Sequence, residues 1–234
     1  VKYIFISSQE ILDKVLSIRN KVDSLQNIYS FDDLPGSIHW KNLLAGISTD
    51  ELNKMESIKT GIKATDCATI IYTSGTTGTP KGVMLSHRNI VTNVINSKKT
   101  FPFTDDVTAR ALSFLPLNHI FERMVSFIYI SSGTSIYYAE SLDTIADDLK
   151  DVKPTLFATV PRLLEKTYEK IMAKGAELTG FKKKLFNWSV RLANEFDNEK
   201  NQTFWYKMQL AIANKLIFSK WREALGGNIK FIVT

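Results

Sequence analysis

Residues Ile70–Asn89 read IIYTSGTTGTPKGVMLSHRN, a stretch with three glycines, four threonines and one proline around a single lysine, Lys81. It begins in the apolar run CATII, which covers residues 67–71. Such a short run with β-branched residues predicts a strand that leads the chain into a loop rich in hydroxyl groups. The glycines let backbone N–H groups approach a ligand, the hydroxyls add donors, and the lysine adds positive charge. The composition is typical of a loop that binds phosphate.

The common nucleotide-binding loop, Gly-x-x-x-x-Gly-Lys-Ser/Thr, does not fit this stretch. Counting from Gly75 puts Pro80 at the position of the second glycine and Gly82 at the position of the serine or threonine. The sequence therefore predicts an ATP-binding loop of another kind.

Outside the loop the sequence alternates between strand and helix patterns. Helices are predicted near Phe121 to Ile130 and Leu142 to Val152, and Ser7 with Glu10 predicts a capping box for a helix through about Ile18. Residues 30–66 look polar and rich in loops. Five further apolar runs predict strands: VKYIFI (1–6), ARALSFLP (109–116), TSIYYAE (134–140), PTLFATVP (154–161) and NIKFIVT (228–234). The alternation favours an α/β domain with a largely parallel sheet, in which sites form at the carboxyl ends of strands.

The first and last of these runs are expected to be buried strands. Because a chain rarely stops in the middle of a core strand, we expect an internal fragment of a longer protein. The single cysteine, Cys67, excludes an intramolecular disulfide and a cysteine-based metal site.

The charge is unevenly distributed along the chain. The net charge is +6, and residues 162–223 hold 13 Lys and Arg against 7 Asp and Glu, whereas the rest holds 17 of each. This segment has helical spacing of its apolar residues, with Phe181, Leu185, Trp188, Leu192 and Phe196 on one stripe. A second stripe is formed by Phe204, Met208, Ile212 and Leu216.

Two interpretations of this basic helical segment, residues 162–225, remain open. It consists either of surface helices that bury one face, or of helices whose Lys182 to Lys184 cluster meets an anionic membrane or another polyanion. The aromatic residues fall on the apolar stripes instead of interleaving with the basic residues. Binding to nucleic acid is therefore not expected.

The segment YTSGTTGTPKGV, Tyr72–Val83, resembles the phosphate-binding signature of the adenylate-forming enzymes, the AMP-binding superfamily. LPLNHIFER, Leu115–Arg123, resembles the segment in which long-chain acyl-CoA synthetases place an active-site histidine. TVPRLLEKTYEKI, residues 159–171, is similar to the strand and helix that follow in that family. The resemblance covers most of the chain and is strongest to the long-chain fatty acid–CoA ligases.

The resemblance implies that residues 1–234 are part of the large N-terminal domain of such an enzyme, with β-sheets flanked by helices and the C-terminal domain absent. It implies ATP-dependent activation of a long-chain fatty acid to an acyl-adenylate and then to acyl-CoA, with ATP, Mg²⁺ and CoA. The fragment is expected to be inactive alone. By resemblance, the phosphates are cradled by Thr73, Ser74, Gly75, Thr76, Thr77, Gly78 and Lys81, and Thr73 helps to place Mg²⁺. Lys81 neutralises charge that develops on the phosphates.

The histidines differ in what the sequence implies for them. By resemblance, His119 lies near the acyl carboxylate and the α-phosphate and orients these groups. His87 follows Ser86, a predicted helix cap, and is expected on the surface or in the first turn, whereas His39 has no motif around it. For Glu122 and Arg123 the sequence leaves open whether they pair locally or with other parts of a protein.

Other functions remain open at this point. The alternatives are an adenylate-forming ligase for an aryl, short-chain or amino acid, and a non-catalytic basic module that binds membranes. The expected location is the cytoplasm, including the cytoplasmic face of a membrane. Oligomeric state does not follow from the sequence.

Overall fold

The computed structural model describes residues 1–44, 46–74, 78–100, 108–199 and 202–234. The chain divides into two compact units, Val1–Ile62 and Lys63–Thr234.

The first unit contains a small parallel sheet. Strands β1 (Tyr3–Ile6), β2 (Asn27–Ser30) and β3 (Ile38–His39) pair in that order, and helix α1 (Gln9–Ile18) connects the first two. Leu12 and Val15 of α1 pack with Ile6 and Ile28 of the sheet, so the apolar stripe of the helix covers one face. The helix ends where the sequence predicted. However, its cap is Ser8, whose hydroxyl accepts from the Ile11 N–H, and not Ser7.

The sequence predicted that residues 30–66 are rich in loops, but they also contain a helix. Helix α2 (Thr49–Gly61) lies there, and Ser48 and Glu51 form a reciprocal capping box at its start. Every described residue of α2 is exposed, so this helix buries no apolar face.

The second unit contains an antiparallel hairpin and a parallel sheet. Strands β4 (Cys67–Thr73) and β5 (Lys81–Ser86) form the hairpin, and helix α3 (His87–Thr100) follows it directly. The predicted phosphate-binding loop therefore joins two antiparallel strands, and the second of them, β5, was not among the predicted strands. The connection is short because antiparallel neighbours need no crossover helix.

The parallel sheet of the second unit has the order β7-β6-β8-β9. Its strands are β6 (Arg110–Ser113), β7 (Ser135–Tyr138), β8 (Leu156–Ala158) and β9 (Phe231–Val233). Helices α4 (Ile120–Ser131) and α5 (Ile145–Val152) connect β6 to β7 and β7 to β8. The predicted helix from Leu142 therefore begins three residues later.

Opposite faces of this sheet are covered by different helices. Ala111 and Ala158 pack with Val125 and Tyr129 of α4. The neighbouring strand residues, Leu112 and Phe157, pack with Ile145 and Leu149 of α5. Because successive side chains point to opposite faces, a strand buried on both faces is apolar without alternation, which explains the runs in the sequence.

The terminal runs do form strands, but the prediction that they are buried is wrong for this chain. Tyr3 and Phe5 of β1 are each about half exposed, and Phe231 and Ile232 of β9 are also exposed. Among the described residues, each of these strands lies at the edge of its sheet and pairs with one neighbouring strand.

The basic segment is helical, as predicted. Its helices are α6 (Pro161–Ala176), α7 (Gly180–Asn194), α8 (Phe204–Ala213) and α9 (Ser219–Glu223), and a π-helical turn at Asn214–Phe218 joins the last two. Leu192 on the first apolar stripe is buried. However, Phe181 on the same stripe is 78% exposed, and all four residues of the second stripe are exposed. The prediction that these helices bury one complete face is therefore only partly correct.

Candidate active site

The hairpin of β4 and β5 holds the described part of the phosphate-binding loop. Thr73 pairs with Lys81 across the hairpin, and the Thr73 hydroxyl donates to the Lys81 carbonyl oxygen at 3.5 Å. The side chain of Lys81 is exposed, and Gly78 has a φ of +79°, a left-handed conformation that glycine adopts without strain. Of the predicted phosphate ligands, Gly75, Thr76 and Thr77 lie outside the described residues, while Thr73, Ser74, Gly78 and Lys81 lie within them.

The structure explains why a glycine occupies position 82. It lies opposite Tyr72, and a Cβ atom at Gly82 would be 2.9 Å from Cγ2 of Ile70 and 3.3 Å from the Tyr72 ring. Contacts this close require atoms to move, so glycine permits the tight approach of the two strands beside Lys81.

The donors of this loop suit a nucleotide phosphate. Hydroxyl groups, a glycine-rich backbone and an exposed ammonium group present donors and positive charge, with no acidic side chain between Thr73 and Lys81. For Mg²⁺, the described residues contain no group of three His, Cys, Asp or Glu side chains that could hold a metal ion. Magnesium in nucleotide sites is held by few protein ligands and by the phosphates themselves, so one hydroxyl such as that of Thr73 is compatible with the predicted role.

His119 is the N-cap residue of α4. Its backbone is extended, with φ −85° and ψ 137°, and its Nδ1 accepts a hydrogen bond from the Phe121 N–H at 3.4 Å. With Nδ1 as the acceptor of this bond, Nε2 is the ring nitrogen that remains for another hydrogen bond. The side chain is exposed.

The two residues that the sequence left undecided make separate contacts. Glu122 is buried, and its Oε1 accepts from the hydroxyl of Ser113 at the end of β6 at 2.5 Å. Burial raises the pKa of Glu122, and the Ser113 hydrogen bond partly opposes this shift. The buried Tyr129 lies near Glu122, and its pKa is raised first by burial and then by the carboxylate charge.

Arg123 points to the other side of α4. Its Nε donates to the carbonyl oxygen of Leu117 at 3.0 Å, and its Nη1 donates to the hydroxyl of Thr69 on β4. These contacts join the hairpin strand to the segment that precedes His119. No local sequence pattern predicts the contact with Thr69, because 54 residues separate the two partners.

A cavity of about 610 Å³ lies between β4, α3 and α4. Its walls are mainly apolar, and one side carries Thr69, His87 and Arg123. His87 is the first residue of α3, beside the cap Ser86, as predicted. At the far ends of the two helices, the Lys98 ammonium group donates to the Ser131 carbonyl oxygen at 2.8 Å. The apolar lining comes from Ala68, Ile90, Val91, Val94, Ile95, Phe127 and Ile130.

Known proteins are similar to this chain over most of its length. A family model described as AMP-binding enzyme matches residues 1–213. The long-chain-fatty-acid–CoA ligase ACSBG2 of Xenopus laevis is 34% identical over an alignment of 235 positions. The alignment covers 95% of this chain and 32% of that protein. The long-chain-fatty-acid–CoA ligase 5 of Mus musculus is 39% identical over 178 residues, which cover 74% of this chain and 25% of that protein. The chain thus spans between about a quarter and a third of the length of these relatives.

Solved structures share the fold. A putative long-chain-fatty-acid CoA ligase from Rhodopseudomonas palustris aligns over 70% of this chain and 39% of its own, with a TM-score of 0.56 and 20% identity. The adenylation domain of a carboxylate reductase from Mycobacterium chelonae aligns over 99% of this chain and 35% of its own, with a TM-score of 0.57 and 20% identity. The predicted α/β fold and the resemblance to adenylate-forming enzymes, with long-chain ligases among the relatives, are confirmed. This chain belongs to the AMP-binding enzyme family.

Proposed function

We propose that this chain carries the phosphate-binding and acyl-binding parts of an enzyme that activates a long-chain fatty acid with ATP. In the first step a carboxylate oxygen attacks the α-phosphate of ATP, giving acyl-adenylate and pyrophosphate. The thiol of CoA then displaces AMP to give the acyl thioester. The observation that carries the proposal is that strand β4 leads into the hydroxyl-rich loop at Thr73 and, at Ala68 and Thr69, also lines the apolar cavity.

The loop supports the nucleotide half of this proposal. Negative charge is redistributed over the phosphate oxygens during adenylation, and donors fixed in advance lower the barrier because they need no reorganisation. The loop from Thr73 to Lys81 would bind the β- and γ-phosphates, with Lys81 contributing full positive charge. Mg²⁺ at Thr73 would neutralise further phosphate charge.

The cavity supports the acyl half. Its volume of about 610 Å³ lies within the range of ~300–1,000 Å³ found for small-molecule sites. Apolar side chains from α3 and α4 face it, including Val91 and Ile130, which are 53% and 65% exposed. Contact with an alkyl chain would bury these side chains, and each Å² of apolar surface removed from water favours binding by about 25 cal/mol. His119 would orient the carboxylate through its Nε2 proton.

The 234-residue chain alone is expected to form no acyl-CoA. It spans 32% of the length of the Xenopus relative, and effects of groups that act together in catalysis are far from additive. A partial set of catalytic groups should therefore give much less than a proportional share of the rate of acyl-CoA formation. Thioester formation by the isolated chain, abolished by Lys81→Ala, would show that the chain is self-sufficient.

We also propose that the basic helices contact an anionic membrane surface peripherally. Phe204 and Trp205 at the start of α8 are 84% and 64% exposed, and the exposed Lys182 and Lys184 lie beside Phe181 on α7. Exposed aromatic rings next to lysines are typical of interfacial helices. Within the described ranges, no helix is long and apolar enough to cross a bilayer. Lys183 has a structural role, since its ammonium group donates to the Gly175 and Ala176 carbonyl oxygens at the end of α6.

A substrate panel tests the catalytic proposal against its alternatives. Pyrophosphate exchange into ATP would be measured for the full-length polypeptide that carries residues 1–234, with palmitate, acetate, benzoate and the amino acids as separate substrates. We expect exchange with palmitate to exceed exchange with the others. Exchange driven best by an aryl, short-chain or amino acid would replace the long-chain assignment, and exchange with none would contradict adenylation.

A further inference from the structure

Arg123 is in contact with three segments of the second unit. Its backbone N–H donates to the His119 carbonyl oxygen at 3.2 Å in the first turn of α4. Its guanidinium group donates from Nε to the Leu117 carbonyl oxygen and from Nη1 to the Thr69 hydroxyl. A single side chain therefore ties together α4, the segment before it and strand β4.

These segments lead to the two parts of the proposed site. Thr69 lies four residues before Thr73 on a strand that runs directly into the phosphate-binding loop. Leu117 lies two residues before His119, the cap of α4. The guanidinium group thus holds the strand that enters the loop against the segment that presents the histidine.

The chemistry of arginine suits this task better than that of lysine. The guanidinium group is planar and presents its N–H donors in a fixed fork, so it satisfies two acceptors in different directions at one time. Leu117 and Thr69 provide one acceptor each, a carbonyl oxygen and a hydroxyl. A lysine ammonium group on a flexible stem does not fix the distance between them.

We propose that Arg123 is a positioning residue for adenylation, which sets the position of His119 relative to the phosphate-binding loop. The proposal rests on the proposed function, since it concerns the same site. Attack of a carboxylate on the α-phosphate needs the two groups aligned, and a displacement of about 1 Å can cost ~100-fold in rate. Arg123 acts through Thr69 and Leu117, and it needs no contact with the nucleotide to do so.

A double-mutant cycle between Thr69 and Arg123 tests this proposal. Thr69→Val removes the acceptor with little change in shape, and Arg123→Lys keeps the charge but loses the fork. In the full-length polypeptide we expect each variant to lower kcat for palmitate-dependent adenylation by about tenfold to 100-fold, with the KM for ATP changed less than about twofold. The double variant should be no slower than Arg123→Lys, because that change alone already removes the contact with Thr69.

Two results would overturn the proposal. Arg123→Lys with wild-type kcat would show that the fork is not needed, and rate losses that multiply in the double variant would show that Thr69 and Arg123 act separately. Arg162→Lys is the matched control, because Arg162 is exposed on α6 and its ion pair with Glu165 is a surface contact. We expect no change in kcat for this variant.

Two further measurements keep the test interpretable. Thermal unfolding of each variant shows whether it is folded, and if Arg123→Lys does not fold, Thr69→Val carries the test alone, since it removes only one hydroxyl. Wild-type exchange with palmitate is measured in the same assay. If wild type shows none, the proposed function fails, whereas an active wild type with unaffected variants contradicts only the role of Arg123.

Discussion

The hydroxyl of Ser113 donates a hydrogen bond to Oε1 of Glu122, and both side chains are buried between β6 and α4. The contact fixes the first turn of α4 to the carboxyl end of a central strand. Since His119 caps the same helix, the pair holds the backbone that presents the histidine. Glu122 and Arg123 thus anchor α4 on two sides, one to the parallel sheet and the other to the hairpin.

We predict that Glu122→Ala destabilises the 234-residue chain by about 2 kcal/mol or more. The substitution leaves the buried Ser113 hydroxyl without its acceptor and creates a cavity, and each effect has a cost of this order. Urea unfolding followed by circular dichroism measures the difference. Glu122→Gln, which keeps the acceptor and the volume, should lose much less, and equal losses for both variants would contradict the account.

Stability should also depend on pH through Glu122. Because burial raises the pKa of this carboxyl above its ordinary 4.5, the folded chain binds the proton more tightly than the unfolded chain. The stability due to the neutral form is therefore fully present below about pH 4.5 and is lost as the pH rises through the raised pKa. The unfolding free energy of Glu122→Gln relative to that of wild type should therefore be higher at about pH 7.5 than at about pH 4, where the wild-type carboxyl group is neutral. A difference that is the same at both values would show that Glu122 titrates normally.

Gly175→Ala should destabilise the chain by about 2 kcal/mol, because overpacking of a well-packed contact costs ~1–3 kcal/mol. A Cβ atom at Gly175 of α6 would be only 2.1 Å from the ring of Phe186 on α7. Gly61→Ala is the control, since no atom of the described residues lies within 4 Å of a Cβ atom there. Thermal unfolding should show a lower midpoint for the first variant alone, and equal midpoints would contradict the packing of α6 on α7.

Lys81→Ala should lower palmitate-dependent pyrophosphate exchange of the full-length polypeptide by about 100-fold, while the fold is kept. Removal of one preorganised group that stabilises the transition state costs ~3 kcal/mol. Lys170→Ala, a change at an exposed position on α6, should leave exchange unaffected. Wild-type exchange in the Lys81 variant would remove this lysine from the proposed site.

Binding of the chain to anionic vesicles, measured by co-sedimentation, should decrease steeply as the salt concentration rises from about 0.05 to about 0.5 M. Salt screens the attraction between the basic helices and the lipid, and the Debye length is only ~10 Å at 0.1 M. Lys182→Glu with Lys184→Glu should abolish binding, whereas Lys54→Glu with Lys63→Glu, at exposed positions elsewhere, should not. Equal binding to neutral and anionic vesicles would contradict the charge-based contact.

Much of the fold could be predicted because apolar runs mark strands that are buried on both faces. The runs around Ala111 and Phe157 form central strands, as expected. Helix α2 was not predicted, since its sequence is mainly polar, although the spacing of Ser48 and Glu51 is that of a capping box. Strand β5 was not predicted, since its residues are exposed or half-buried and no buried apolar run marks them.

The site was only partly predictable for a related reason. The loop and His119 were predicted because each lies in a short segment whose residues resemble a known motif. The contacts of Glu122 and Arg123 depend on which strands lie on either side of α4, and the sequence pattern does not give that arrangement. For Glu122 and Arg123 the sequence therefore left the partners open.

The most direct test of the central claim is the identity of the nucleotide product. The full-length polypeptide would be incubated with ATP, Mg²⁺, palmitate and CoA, and the products would be quantified by mass spectrometry. We predict AMP and palmitoyl-CoA in equal amounts, with AMP formation dependent on palmitate, because adenylation transfers the whole AMP group to the carboxylate. Formation of ADP, or of AMP without palmitate, would contradict the assignment of this chain to fatty acid activation.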